Sequence, residues 1–102
     1  MPSDNPIRRL NDILENIDRI VQYTRDYGYQ DFLQDRLTRD AVERCLLRIA
    51  EVARKLEGLV DEIAADQPWS DIRALGNIIR HEYDAIDPVV IWKIVEDDLL
   101  PA

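Results

Sequence analysis

Across residues 7–21, and again across 42–56, aliphatic side chains recur every three or four positions and never in strict alternation. That period lines them up along one side of an α-helix, whereas on a strand it would scatter them over both faces. The chain is therefore committed to helices that each bury a stripe. In the first stretch Ile7, Leu10, Ile13, Leu14, Ile17, Ile20 and Val21 make the stripe, and Asp12, Glu15, Asp18 and Arg19 take the outer side. Asn5-Pro6 ahead of it supplies an N-cap and a proline at the first helical position. Tyr27-Gly28 is the expected stop, after about five turns.

Residues 29–33 (YQDFL) read as one short helical turn that plugs Phe32 into the core. Thr38 is then the expected N-cap of a second long helix, with Leu37 and Val42 as a hydrophobic staple. Cys45, Ile49, Val52 and Leu56 form its stripe, and Leu46, Ala50 and Ala53 widen it, which predicts a central helix contacted on more than one side. The remaining face carries Asp40, Arg44, Arg48, Glu51 and Lys55. It reads either as a solvated, salt-bridged surface or as one that turns Arg44 or Arg48 toward the cleft that His81 faces. Gly58 bends or ends this helix. Leu59, Val60, Ile63 and Ala64 continue a shorter segment toward Asp66-Gln67-Pro68, and a third long helix follows over 69–83. Asp87-Pro88 starts a last one as Asn5-Pro6 does the first, with Ile86 and Ile91 as a staple.

With three glycines in 102 residues, a sheet with many tight turns has little to build on. The expectation is a single domain over 1–102, all-α, an up-and-down bundle of four to five helices. One small core leaves much of this apolar surface uncovered, so a homodimer is expected. Cys45 lies within a stripe and reads as a buried thiol. With no 18-residue apolar run and no recognisable secretory leader in the sequence, a cytoplasmic protein away from membranes is the expectation. The net charge of −8 opposes a nonspecific nucleic-acid coat, though not a local cationic site that holds one or two phosphates.

The third helix carries the chemistry. Wound at about 100° per residue, Arg73, Asn77, Arg80, His81 and Asp84 share an arc of roughly 100°. Ile72, Leu75, Gly76, Ile79 and Tyr83 fill the opposite side. His81 is the chain's only histidine. One His and one buried Cys do not make a metal centre, and no cofactor is expected. There is no glycine-rich phosphate loop, and neither Ser3 nor Ser70 sits on a nucleophile elbow. What remains is an imidazole among guanidinia. Imidazoles exchange protons near neutrality, and guanidinium groups hold phosphoryl oxygens. A metal-independent ribonuclease needs little more, because the attacking ribose 2′-OH belongs to the substrate. The same arc could also simply face water.

Much of the chain resembles the HepT-like branch of the HEPN superfamily, small helical toxins paired with minimal nucleotidyltransferases of the MNT type. The landmarks are Ala41-Val42-Glu43-Arg44, Ile49-Ala50-Glu51, Pro68-Trp69, Ile72-Arg73, Gly76-Asn77, Arg80-His81-x-Tyr83, Ile86-Asp87 and Trp92-x-Ile94-Val95-x-x-Asp98-Leu99. The family signature is an Arg, four to six residues, a His, one residue and a Tyr. In its commoner form the Arg directly precedes the Asn. Here that position is Gly76, so the chain looks like a variant that reads Gly-Asn-x-x-Arg-His-x-Tyr.

The resemblance implies a homodimer whose His-bearing helices meet at a two-fold axis, and an endoribonuclease acting on RNA, tRNA among the candidates. His81 and Arg80 would be catalytic, Arg73 and Asn77 would bind phosphate or orient, and Tyr83 would accept AMP from a nucleotidyltransferase antitoxin that silences the toxin. Gly76 falls about 140° from His81, on the apolar side, where a missing side chain lets a neighbouring helix come close. The rival expectation is a non-catalytic helical subunit that docks a nucleotidyltransferase or a nucleotide.

Overall fold

The computed structural model describes residues 6–56, 58, 59, 62, 69–81 and 86–96. Among these lie five helices and no strand: α1 (Pro6–Tyr23), α2 (Tyr29–Gln34), α3 (Arg36–Lys55), α4 (Trp69–His81) and α5 (Pro88–Ile94). The expected Asn5 cap, and most of the segment between Gly58 and Trp69, lie outside the described residues.

α3 is the centre because its apolar stripe is too wide for one neighbour. Val42, Cys45, Leu46, Ile49, Ala50, Val52 and Ala53 are all buried along it. α1 packs on one flank and α4 on the other, while α2 bridges α3 and α5. Phe32 does enter the core from α2, fully buried, with its ring centroid 5.2 Å from that of Trp92 in α5. Cys45 is buried as its stripe position required, and burial pushes its thiol above the ordinary range.

Both ends of the α1–α3 connection differ from the expectation. The regular helix α1 stops at Tyr23, and the left-handed residue that turns the chain is Asp26 (φ 65°), not Gly28. Asp is among the few non-glycine residues that adopt this conformation. Gly28 instead starts α2, its N–H donating to Asp31 Oδ2 at 2.8 Å. Thr38 is not the cap of α3. Asp35 is, and its Oδ1 accepts from the Thr38 N–H at 3.0 Å. Leu37 is left 81% exposed, so the expected staple with Val42 does not form. α3 ends at Lys55 with Leu56 as its C-cap, and Gly58 follows two residues on with φ 91°. At α5, Asp87 caps through the Val89 N–H, Ile91 is buried in the core and Ile86 packs against it.

Asp35 also ties three segments together. Its Oδ2 accepts from the Tyr27 hydroxyl at 2.6 Å and from the Thr38 hydroxyl at 2.7 Å. The Tyr27 bond, followed by those from Thr38, lowers the Asp35 carboxyl from 3.8 to about 2. The unfolded chain binds this proton more readily than the folded one. The stabilisation is therefore complete above the unfolded value and disappears as pH falls from about 4 through about 2. Melting curves from about pH 5 down to about pH 2 should show a smaller acid loss in Asp35→Ala than in the parent. Equal losses would mean that Asp35 is not the group responsible.

Candidate functional site

α4 sorts its residues as the wheel predicts. Ile72, Leu75, Gly76 and Ile79 are buried, Arg73 is half-buried, and Asn77, Arg80 and His81 are exposed. Gly76 lies where α4 touches α3. A Cβ placed on it would stand 2.3 Å from the Ala50 Cβ, closer than real side chains approach. The absence of a side chain at 76 is thus what lets the two backbones meet.

One turn beyond that contact, Arg80 leans toward α3. Its Nη2 lies 2.7 Å from Glu51 Oε1, and the other carboxylate oxygen accepts from Arg54 Nη2 at 3.1 Å. The Arg54 bond, then the Arg80 charge, holds the Glu51 carboxyl below its usual range. Arg80 and Arg44 line a shallow groove of about 410 Å³ between α3 and α4, with Asp40, Glu43, Leu47 and Ile79. Burial, with the charge of Asp40 added, pushes the Glu43 carboxyl upward.

Arg44 shares this groove with Arg80 but not with His81, so the expected common cleft of an α3 arginine and the imidazole is not seen within one chain. Arg48 does not line it. It lines a second groove, between α1 and α3, with its Nη1 3.5 Å from Asn16 Oδ1. Asn16 is 6% exposed and donates from Nδ2 to the Asp12 carbonyl at 2.8 Å. Sequence reading missed this buried amide, although a signal existed: position 16 falls three after Ile13 and four before Ile20, inside the apolar stripe. Glu51 was likewise read only as a surface charge.

Arg80 and His81 are neighbours in sequence, yet about 100° apart around the helix. The Arg80 groove is not lined by His81, which with Asn77 faces outward on a different flank. Beside that flank lies an apolar groove of about 390 Å³ between α4 and α5, bordered by Ile78 (38% exposed) and Val90 (46% exposed). Tyr83 and Asp84 lie outside the described residues. Among the described residues no group of three or more His, Cys, Asp or Glu side chains has metal-binding geometry, and no helix is long and apolar enough to cross a membrane.

The chain is similar to known proteins along most of its length. A protein of Methanocaldococcus jannaschii, named provisionally as RNase MJ1380, is 36% identical over 90 residues, which cover 88% of this chain and 83% of the relative. A Thermococcus cleftensis protein, named provisionally as ribonuclease HepT, is 32% identical over 88% of this chain and 82% of its own length. No solved structure gives a significant match. The family profile described as ribonuclease HepT-like matches residues 13–102, so it takes in α2 to α5 and most of α1. On that extent of agreement, the chain belongs to the HepT-like ribonuclease family.

Proposed function

We propose that this protein is a metal-independent endoribonuclease and the toxin of a toxin–antitoxin pair. The observation that carries the reading is the end of α4. There an exposed imidazole follows directly on a guanidinium that is fixed against α3 and lines a groove. In this reading His81 takes the proton from a ribose 2′-OH. The 2′ oxygen bonds to phosphorus, the bond to the 5′ oxygen breaks, and the imidazolium returns its proton to the leaving oxygen. Arg80 bears the charge that accumulates on the phosphoryl oxygens, with Arg73 as a further clamp and Asn77 orienting.

One chain alone points Arg80 and His81 to different flanks. Pairing two α4 helices across a two-fold axis brings two such pairs into one cleft. The exposed Ile78, close to both Asn77 and His81, supports burial of this flank in a homodimer. Tyr83 would then be the residue to which an MNT-type nucleotidyltransferase adds AMP. A bulky anion two residues from His81 would occupy the phosphate position and pair with its arginines. Intact mass of the chain after incubation with such an enzyme and ATP should show one adenylyl group, absent in Tyr83→Phe.

The ribonuclease reading is tested with purified protein and total cellular RNA in excess EDTA. Discrete fragments are expected from the parent, and at least about 100-fold fewer from Arg80→Ala. One observation favours the rival, a non-catalytic binding subunit: the place of the usual arginine is packed against Ala50. No fragments from an unadenylylated dimer, together with loss of nucleotidyltransferase binding in Arg80→Ala, would decide for it.

A further inference from the structure

We propose that Glu51 is a positioning residue for Arg80: from α3 it holds the guanidinium in place across the helix contact and leaves the remaining N–H groups for a phosphoryl oxygen of RNA. The inference rests on the ribonuclease reading and adds to it a residue that touches no substrate.

Three observations converge. The ion pair is tertiary, joining different helices at 2.7 Å, unlike the local Arg19–Glu15 and Arg54–Glu51 pairs within single helices. Its geometry follows from the close contact one turn away. Ala50 directly precedes Glu51, Gly76 lies four residues before Arg80, and the bare Gly76 brings those two backbones together. The carboxylate is itself held, since Arg54 occupies its second oxygen. Its other oxygen, which accepts no hydrogen bond among the described residues, meets Arg80 as a charge contact.

Stability does not account for such an arrangement. The two side chains are 37% and 31% exposed, and ion pairs in contact with water contribute little to folding. Orientation does account for it. An unrestrained arginine samples many rotamers, whereas a guanidinium drawn to a held carboxylate stays at one place on the groove wall and offers its remaining N–H groups there. Catalysis by charge stabilisation depends on donors that are in place before the charge develops. In a chain whose commoner catalytic position is a buried glycine, this restraint gives Arg80 a defined location.

The test separates positioning from mere structure. In Glu51→Ala, kcat should fall roughly 10- to 100-fold with no rise in KM for RNA, since a carboxylate leaves the neighbourhood of the phosphate site. Glu51→Asp, which keeps the charge that draws the guanidinium, should recover part of the loss, and Glu51→Gln should not. On an Arg80→Ala background, Glu51→Ala should change nothing further. Equal losses on both backgrounds would overturn the proposal. Nitrogen-15 NMR of the Arg80 Nε–H supplies a readout that does not need turnover. A DNA oligonucleotide, which lacks the attacking 2′-OH, should shift this resonance in the parent and not in Glu51→Ala. The same response in both proteins, or none in the parent, would overturn the proposal as well. A parent that shows the shift but cleaves no RNA would refute the ribonuclease reading and leave Glu51 as the residue that sets Arg80.

Discussion

Gly76→Arg, which would restore the arginine of the commoner family pattern, is expected to unfold the protein and not to strengthen its site. Even the smallest side chain does not fit. In an ordinary helix interior Gly→Ala stabilises by about 1 kcal/mol. Here the new Cβ would stand 2.3 Å from the Ala50 Cβ. That atom is carried rigidly by the α3 backbone, so relief requires the helices to part. Overpacking of this kind costs about 1–3 kcal/mol, and the net result for Gly76→Ala should be a lower melting temperature. An arginine at 76 would in addition bring a charge into the α3–α4 contact. A loss beyond about 4 kcal/mol is expected, a large share of the stability of a domain this size. Thermal unfolding followed by circular dichroism checks both variants. Ala50→Gly should partly rescue Gly76→Ala and fail to rescue Gly76→Arg. A Gly76→Ala protein that melts at or above the parent would show that the helices do not approach this closely.

The same glycine shows what the sequence alone could establish. Its place on the apolar side of α4 followed from helical period, because 100° per residue is a property of the backbone and independent of context. The central role of α3 followed similarly, from a stripe wider than one neighbour can cover. The junctions were harder. Thr38 and Asp35 are both good caps three residues apart, and local preference does not separate them. The choice is made by Tyr27, eight residues before Asp35, whose hydroxyl reaches the carboxylate only once α1 has turned back at Asp26. The partner of Arg80 was hidden for a related reason. On the sequence, Glu51 and Arg54 form an ordinary i,i+3 surface pair. Only the Gly76–Ala50 contact fixes the rotation of α4 that puts Arg80 beside that pair. Arg44 and Arg48, one turn apart on α3, were equivalent in pattern. Both line the groove beside α1, and only Arg44 also reaches the one beside α4.

His81→Ala should produce the largest loss of activity with the smallest change in the fold. The imidazole is exposed at the C-terminal end of α4, and the core residues of that helix lie on its other side. Alanine is also the better helix former. Stability should therefore stay within about 0.5 kcal/mol of the parent, a shift of a few degrees at most. Cleavage depends on moving a proton off the 2′-OH and onto the leaving oxygen. Losing a placed acid/base group costs typically 100- to 10,000-fold. RNA affinity should be nearly unchanged, because in the proposed roles Arg80 and Arg73 supply the charge. Arg80→Ala should differ in kind, with weaker binding and a shallower dependence of affinity on salt. The measurement is single-turnover cleavage of one labelled RNA by both variants in EDTA, beside their melting curves and binding isotherms. If His81→Ala cleaves at the parental rate, the proton is moved by another group, and Glu43 beside Arg80 becomes the first to replace. If it stops cleaving and also stops binding, the imidazole is part of a docking surface, and the binding-subunit reading gains the residue it needs.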